Sequence, residues 1–298
     1  MNGIRRSVAR RSDVLLKAFL AGVTALLLLD IPGWWYWIFL VFLALAYVRP
    51  PWDRARAPVT VAAPVSGTWL ALNSPGSKVP AHGTRGYGQT YAIDVLIPRN
   101  VLPATGEHPK PRFGWGLPAA PDTFPAFGAP VHAVADGTVV AAADGQRDHL
   151  ARNTWTGFVY MLLEGIVRQA GGWRLIFGNR VIIDHGGGVY AAYAHLRRGS
   201  LRVRPGDRVE AGRILGEVGN TGNTSEPHLH FQLMDRPGPQ EAAGIPFRWE
   251  GVAVRGDAVA PHYGLPKPGE GEPDLPANAQ VFQARPAVQI AADSSMSP

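Results

Sequence analysis

The sequence of 298 residues contains no cysteine. This excludes disulfide bonds and thiolate metal sites, so any bound metal must be held by histidine and carboxylate side chains. The chain also lacks a basic stripe with interleaved aromatic residues, although its net charge is +6, and we therefore predict no nucleic-acid binding. The turn containing Gly219 and Gly222 is not followed by Gly-Lys-Ser/Thr, so it does not indicate a phosphate-binding loop.

The composition favours a β-rich protein. Hydrophobic residues make up 46% of the chain, which is ample for a packed core, and 35 glycines and 27 prolines without a collagen-like period indicate short strands joined by tight turns. Alternating, turn-bounded segments predict strands at Thr90–Ile97, Pro130–Ala135, Thr138–Ala142, Asn179–Asp184, Val189–His195, Arg213–Val218 and His228–Met234. We therefore expect an all-β core of antiparallel sheets.

Two segments interrupt this strand pattern. The segment Arg99–Phe127 is rich in proline, glycine and aromatic residues, with Trp115 among them, and is a candidate wall of a substrate groove. The segment Arg147–Phe177 contains a helix-like stretch, Phe158–Gln169. We expect this helical insertion to pack its apolar face on the core, with membrane contact as the alternative.

The N-terminal region predicts a membrane anchor. Residues Val14–Val48 are apolar except for Lys17 and Asp30, and a break at Asp30–Gly33 divides them into two short halves, which favours a membrane helix or a helical hairpin. Trp34–Trp37 would lie at the headgroups. Arginines flank both ends, at Arg5, Arg6, Arg10, Arg11, Arg49, Arg54 and Arg56. By the positive-inside rule, a hairpin would then have both ends in the cytoplasm, on the side of the membrane opposite to cell wall. Three explanations stay open: the segment crosses once in effect, the rule is overridden here, or the substrate is not cell wall.

These patterns divide the chain into four parts. We predict a basic N-terminus and membrane anchor at 1–50, a Pro/Arg-rich linker at 51–62, a globular domain at 63–256 and a flexible Pro/Gly/Ala-rich tail at 257–298. The absence of a small-residue cleavage site after the apolar region favours a retained anchor over a cleaved signal peptide.

Four side chains predict a metal site. In Glu226–Phe231, strand alternation sends His228 and His230 to the same face. His195 and Asp94 lie on other predicted strands that can deliver them to the same end of the sheet. Three histidines and a carboxylate suit zinc, because catalytic zinc takes three N or O ligands, leaves a position for water and lowers the pKa of that water.

Over residues 63 to 250 the chain resembles the lysostaphin-like, or LytM-type, zinc endopeptidases of peptidoglycan. The resemblance is carried by motifs in the family's order: Asp94, Gly128–Gly137, Val181–Gly186, Tyr193–Leu196, Val203–Glu217, Gly219–Gly222 and His228–Phe231. It implies a barrel-sandwich hybrid fold and a peptidase that acts on peptidoglycan peptides.

By position, the resemblance implies that Asp94 and His230 are zinc ligands and that His195 and His228 are catalytic groups that activate water and stabilise the oxyanion. The family usually has a histidine ligand four residues before the aspartate, where this chain has Thr90. We predict that His82 takes its place, because a glycine-rich segment between them can fold His82 back toward Asp94. We assign no metal to the remaining histidines, His108, His132, His149, His185 and His262.

Two alternatives to a peptidase follow from the same motifs. A catalytically inactive domain of the same fold would bind cell wall or regulate a partner hydrolase, although the presence of all four predicted site residues argues against such decay. A biotinyl or lipoyl carrier is excluded, because no lysine occurs between Lys110 and Lys267. For the peptidase we expect attachment to the cell membrane, with the peptidase domain on the extracytoplasmic side, where peptidoglycan lies.

Overall fold

The computed structural model describes residues 2–97, 117–152, 154–255 and 273–286. Its helices are α1 (Asn2–Ala9), α2 (Ser12–Leu28), α3 (Trp35–Ala46), α4 (Trp155–Gly171) and α5 (Trp173–Phe177). Its strands are β1 (Val59–Ala62), β2 (Gly67–Leu72), β3 (Ile93–Leu96), β4 (Pro130–His132), β5 (Gly137–Ala143), β6 (Asn179–Asp184), β7 (Tyr190–Leu196), β8 (Arg208–Val209), β9 (Ile214–Glu217), β10 (Leu229–Met234), β11 (Gly244–Ile245), β12 (Phe247–Glu250), β13 (Val252–Arg255) and β14 (Val281–Ala284).

The strands form the predicted antiparallel core. Nine strands follow one another in the main sheet in the order β13-β14-β2-β3-β10-β7-β6-β5-β8, and β11 pairs with β10. Strands β4 and β9 form a second antiparallel pair, whereas β1 and β12 pair in parallel. Strands β3, β10 and β7 lie side by side near the centre of the main sheet, and they carry most of the predicted site.

Strand β10 shows how the core and the site share one element. Leu229, Phe231 and Leu233 are fully buried in the main hydrophobic core, where the ring of Phe231 packs against those of Tyr193 and Trp249. His230 and Gln232 alternate with them and face the opposite side of the strand. The burial of one face therefore fixes the register that presents the other, polar face to the site.

Two predicted boundaries are wrong in part. The last four residues of the predicted linker form β1, which pairs with β12. Within the predicted flexible tail, residues 273–286 are ordered and β14 pairs with β2 and β13, because Val281, Phe282 and Ala284 are apolar and buried in the core. The rest of the tail, at 257–272 and 287–298, lies outside the described residues, as do Trp115 and most of the segment Arg99–Phe127.

Helices α2 and α3 pack against each other. They have 17 and 12 residues, and none of the described helices is long and apolar enough to cross a membrane. The prediction of a membrane-spanning helix is therefore not supported. Helix α1 is attached to the β domain, because Arg6 forms an ion pair with Asp235 at 2.6 Å and donates to the main-chain carbonyl of Glu241 at 2.7 Å.

The insertion forms a longer helix than the sequence predicts. Helix α4 begins at Trp155, where the Thr154 hydroxyl accepts a hydrogen bond from the Gly157 amide at 3.1 Å. It ends at Gly171, and the next residue, Gly172, has a φ of +91° that suits glycine. The expected packing of its apolar face on the core is wrong. Leu163 and Val167 are 62% and 66% exposed, and Gly157 is the one buried residue of this helix.

Candidate metal centre and catalytic histidines

Strand pairing brings Asp94 and His230 together. The two residues lie directly opposite each other in the β3–β10 ladder, and His230 Nδ1 is 2.9 Å from Asp94 Oδ1. On the other side of β10, His230 pairs with Ala194 of β7, whose small side chain leaves space over the strand. His228, just before β10, places its Nε2 3.6 Å from the same Asp94 oxygen.

His82 reaches the same carboxylate because the segment before β3 folds back on itself. The Ala81 amide donates to the Thr90 carbonyl at 3.0 Å, and positive φ values at Tyr87 and Gly88 interrupt the 3-10 turn between them. His82 Nε2 then lies 3.0 Å from Asp94 Oδ2. The structure thus places His82, rather than Thr90, beside Asp94.

A β-bulge aims His195 into the site. In the β6–β7 ladder, Asn179 pairs with Leu196 and Arg180 pairs with Ala194, so His195 is the extra residue. Its φ of +63° lies in the left-handed region, which is uncommon for a residue with a side chain. In an uninterrupted strand His195 would share the core-facing side with Tyr193. The bulge instead turns its ring toward His228 and His230, with ring centroids 4.8 and 5.7 Å away.

Main-chain carbonyls hold the other nitrogens of these two histidines. His195 Nδ1 is 2.8 Å from the Thr221 carbonyl oxygen, and His228 Nδ1 is 2.8 Å from the Glu226 carbonyl oxygen. Because a carbonyl only accepts hydrogen bonds, both rings carry their proton on Nδ1. In the neutral form of either ring, the Nε2 atom therefore keeps a lone pair that can accept a proton.

Two supporting residues were missed by sequence reasoning. Gln232 Oε1 accepts a hydrogen bond from His230 Nε2 at 2.9 Å, and Gln232 Nε2 donates to the Tyr87 carbonyl at 2.8 Å, which fixes the orientation of the amide. Asn73 donates to Asp94 Oδ2 at 2.8 Å. Strand alternation from His230 was the signal that could have identified Gln232, whereas nothing in the local sequence marks Asn73.

The site separates a charged group from a neutral one. Burial by itself raises the pKa of Asp94, but the charges of His82 and His228 and the hydrogen bonds from His230 and His82 outweigh it and hold that pKa well below its usual range. Burial, together with the neighbouring rings of His228 and His230, holds the pKa of His195 well below its ordinary value. Asp94 is therefore ionised and His195 is neutral near pH 7.

The donor atoms fit a zinc ion. One ligand atom each from His82, Asp94 and His230 lie within 4.8 Å of one another. His230 donates from Nε2 to Gln232, so a neutral ring directs the lone pair of Nδ1 at the Asp94 carboxylate. The contact is favourable either with a second proton on Nδ1, which Asp94 then accepts, or with a cation that takes the place of this proton between the two groups. Two imidazoles and one carboxylate are a set that zinc accepts.

The other described histidines lie outside this site. The Nδ1 atoms of His132 and His185 are 3.0 and 2.7 Å from the carbonyl oxygens of Gly212 and Asp136. His149 Nε2 is 3.1 Å from the Gly222 carbonyl oxygen, which helps to hold the turn that carries Thr221. His108 and His262 fall outside the described residues.

Part of the chain is similar in sequence to known peptidases. Residues 149–242 match the model of peptidase family M23. Glycyl-glycine endopeptidase ALE-1 from Staphylococcus capitis is 35% identical over 114 residues, which are 38% of this chain and 23% of the relative. Peptidoglycan DD-endopeptidase ShyA from Vibrio cholerae is 41% identical over 71 residues, which are 23% of this chain and 16% of the relative.

The similarity to solved structures extends over more of the chain. The catalytic domain of the antimicrobial peptidase lysostaphin from Staphylococcus simulans matches with a TM-score of 0.31 and 18% identity, over 60% of this chain and 88% of that domain. The curated relatives are larger proteins, since the matched part spans only 13% to 24% of their length.

Proposed function

From the match of residues 149–242 to peptidase family M23, we propose that this chain is a lysostaphin-like zinc peptidase, an endopeptidase that hydrolyses peptide bonds in the cross-links or stem peptides of bacterial peptidoglycan. One observation carries the proposal. A carboxylate and four imidazoles converge in one site, and the two imidazoles not needed as ligands, His195 and His228, are both held with Nε2 free to move protons. The names of two relatives, ALE-1 and ShyA, describe the same kind of reaction.

In this proposal His82, Asp94 and His230 hold the zinc ion. When bound, zinc polarises the peptide carbonyl and acidifies the attacking water. Gln232 fixes His230 in the tautomer that leaves Nδ1 for the metal, and Asn73 holds the Asp94 carboxylate in place.

His195 and His228 carry the proton transfers. His195, which is neutral near pH 7, accepts the proton of the attacking water at Nε2. The proton that His195 takes from the water is then passed to the leaving amine, so that the step balances. His228 is more accessible to solvent, with 11% of its side chain exposed. His228, when it carries a proton on Nε2, donates a hydrogen bond to the charge that develops on the carbonyl oxygen.

The direct test uses the full chain and purified peptidoglycan. We expect the zinc-loaded protein to release new amino groups, and a zinc chelator to abolish that release. His82→Ala removes a proposed ligand, whereas His185→Ala removes a histidine bonded to the Asp136 carbonyl outside the site. Loss of zinc and activity in the first variant alone would support the ligand set. No release by a folded, zinc-loaded protein would overturn the peptidase and favour the inactive wall-binding alternative.

We also propose that residues 1–50 attach the protein to the cell membrane and that the peptidase domain lies on the extracytoplasmic side. The support is the apolar α2–α3 hairpin and the location of the proposed substrate. A topology reporter fused after Pro298 tests the compartment. A signal confined to the cytoplasm would overturn both the location and access to the cell wall.

A further inference from the structure

The exposed apolar side chains are concentrated in two helical segments. Among the described residues, all but four of the large apolar side chains that are exposed lie between Ile4 and Tyr47 or between Trp155 and Leu175. The four exceptions are Val79, Leu117, Val140 and Leu150. The β core therefore covers its apolar groups, whereas the helices do not, and contiguous exposed apolar surface of this kind marks an interaction site.

Helix α4 is oriented opposite to an ordinary surface helix. Its polar side faces the protein, where Glu164 accepts from Arg168 at 2.7 Å and also pairs with Arg152. Its apolar residues recur at three- and four-residue spacing on the exposed side, at Trp155, Val159, Leu162, Leu163, Ile166 and Val167. Because ion pairs and a capping hydrogen bond hold α4 in place, the fold does not require this apolar stripe.

The stripe on α4 adjoins the N-terminal hairpin. Helix α2 packs against α4, and Gly172 at the end of α4 approaches the carboxylate of Asp13 at the start of α2. At the other end of α2, Leu27 is 79% exposed, and the connection to α3 exposes Trp34 and Trp37. The exposed apolar side chains of α2, α3 and α4 therefore lie on helices that pack against one another.

The charges around these helices favour a lipid surface with anionic headgroups. The exposed cations are Arg5, Arg10, Arg11, Lys17, Arg54 and Arg174, of which Arg10 pairs with Glu241, against two exposed carboxylates, Asp30 and Asp53. Exposed tryptophans beside leucines and arginines are typical of segments that lie in the membrane interface.

We propose that α4 and the α2–α3 hairpin together form a surface that inserts into the interface of an anionic phospholipid bilayer. The inference rests on the proposed membrane attachment and extends it from the N-terminus to the insertion in the peptidase domain. Two separate contacts with the bilayer restrict the rotation of the domain, whereas a single N-terminal attachment would leave it free to rotate. Its catalytic cleft is then held at a constant height and direction relative to the membrane.

The test uses the absence of cysteine from the chain, because one introduced cysteine is a unique labelling site. Leu163→Cys places a nitroxide on the apolar side of α4, and Glu210→Cys places one on an exposed turn of the β domain. The labelled full-length proteins are mixed with vesicles of phosphatidylcholine and phosphatidylglycerol. We expect the label at 163 to become accessible to oxygen and protected from a water-soluble nickel complex, and the label at 210 to remain aqueous.

A charge variant adds a binding measurement. Leu163→Glu should weaken co-flotation with anionic vesicles by about tenfold, the effect expected for removing one buried leucine from the contact. Val140→Glu places the same change at an exposed apolar residue of β5 and should leave flotation unchanged. Vesicles of phosphatidylcholine alone should bind less of the wild-type protein, because the cations then have no anionic partner.

Three results would overturn the inference. If the protein floats with vesicles while the label at 163 stays aqueous, the N-terminal attachment stands and the role of α4 fails. If no protein floats, both fail, although peptidase activity on isolated peptidoglycan is unaffected. If labels at 163 on two molecules are close together without vesicles, a second copy of the chain covers the stripe instead of lipid.

Discussion

The two halves of the site hold their histidines by different partners. His82 and His230 direct ring nitrogens at the carboxylate of Asp94, whereas His195 and His228 are bound through Nδ1 to main-chain carbonyls. The first half concentrates negative charge, which suits a cation. The second half holds the neutral His195, whose Nε2 is not used by the Thr221 carbonyl, which suits proton transfer. Histidine alone therefore does not define a role, because the acceptor behind each ring does.

The largest expected effect comes from removing the charge of the first half. Asp94→Asn keeps the shape but deletes the carboxylate that faces both ligand imidazoles. We expect loss of bound zinc and a fall in activity of about a thousandfold or more, because bound zinc lowers the activation barrier by several kcal/mol. Zinc content and amino-group release measure the two effects.

The matched control for this change is Asp184→Asn. Asp184 Oδ1 accepts a hydrogen bond from the Gly186 amide at 2.8 Å. This residue lies at the end of β6, outside the site. This variant should bind zinc and retain activity. If Asp94→Asn kept its zinc at the level of this control, Asp94 would not be a ligand and the division between the two halves would fail.

In the second half, His195→Ala should lower activity by about a hundredfold to ten-thousandfold, the range for removing a general base. Zinc should stay bound, because His195 is not one of the proposed ligands. Its Nδ1 bonds to the Thr221 carbonyl and not to the Asp94 carboxylate. Measuring zinc content and kcat on the same sample separates the two functions. Equal loss of zinc in His195→Ala and Asp94→Asn would show that the halves act as one unit.

A smaller effect on zinc affinity is expected at Gln232, which bonds to the His230 nitrogen that points away from Asp94. Gln232→Ala removes the acceptor that fixes the His230 tautomer, and the affinity for zinc should fall by about tenfold to a hundredfold. Competition with a chelator of known affinity measures this change. Gln169→Ala is the control, because Gln169 donates to the hydroxyl of the same Tyr87 at 2.8 Å but does not touch a histidine. Similar losses in both variants would indicate that Tyr87, not the His230 tautomer, is responsible.

The sequence predicted the parts of this comparison that depend on strand alternation. His228 and His230 share a face because a strand alternates, and β6 was predicted with the bounds it has. The position of His195 could not be predicted, because a bulge depends on the fit of two strands that are distant in sequence. The fold-back of His82 was inferred from the family resemblance and the glycine-rich segment, not from a local pattern.

The remaining errors concern residues whose environment is set by distant parts of the chain. Phe282 lies in a Pro/Gly/Ala-rich region, yet it packs in the core because β14 pairs with β2. The apolar stripe of α4 predicted packing on the core, because periodicity shows that a helix has an apolar face but not which way that face points. The ion pairs of Glu164 decide its direction.

The smallest expected effect is in the dependence on pH. Burial and the neighbouring His228 and His230 lower the pKa of His195 below its ordinary 6.5, so the folded protein keeps this ring neutral as the pH falls through 6.5. A base with an ordinary pKa would lose about fourfold in activity between pH 7.5 and 6.0, whereas we expect less than about a twofold fall. The measurement is kcat/KM on a soluble peptidoglycan fragment, with zinc content determined at each pH. A midpoint near 6.5 in fully zinc-loaded protein would show that the second half is not held neutral by burial, and the electrostatic division between the halves would then be lost.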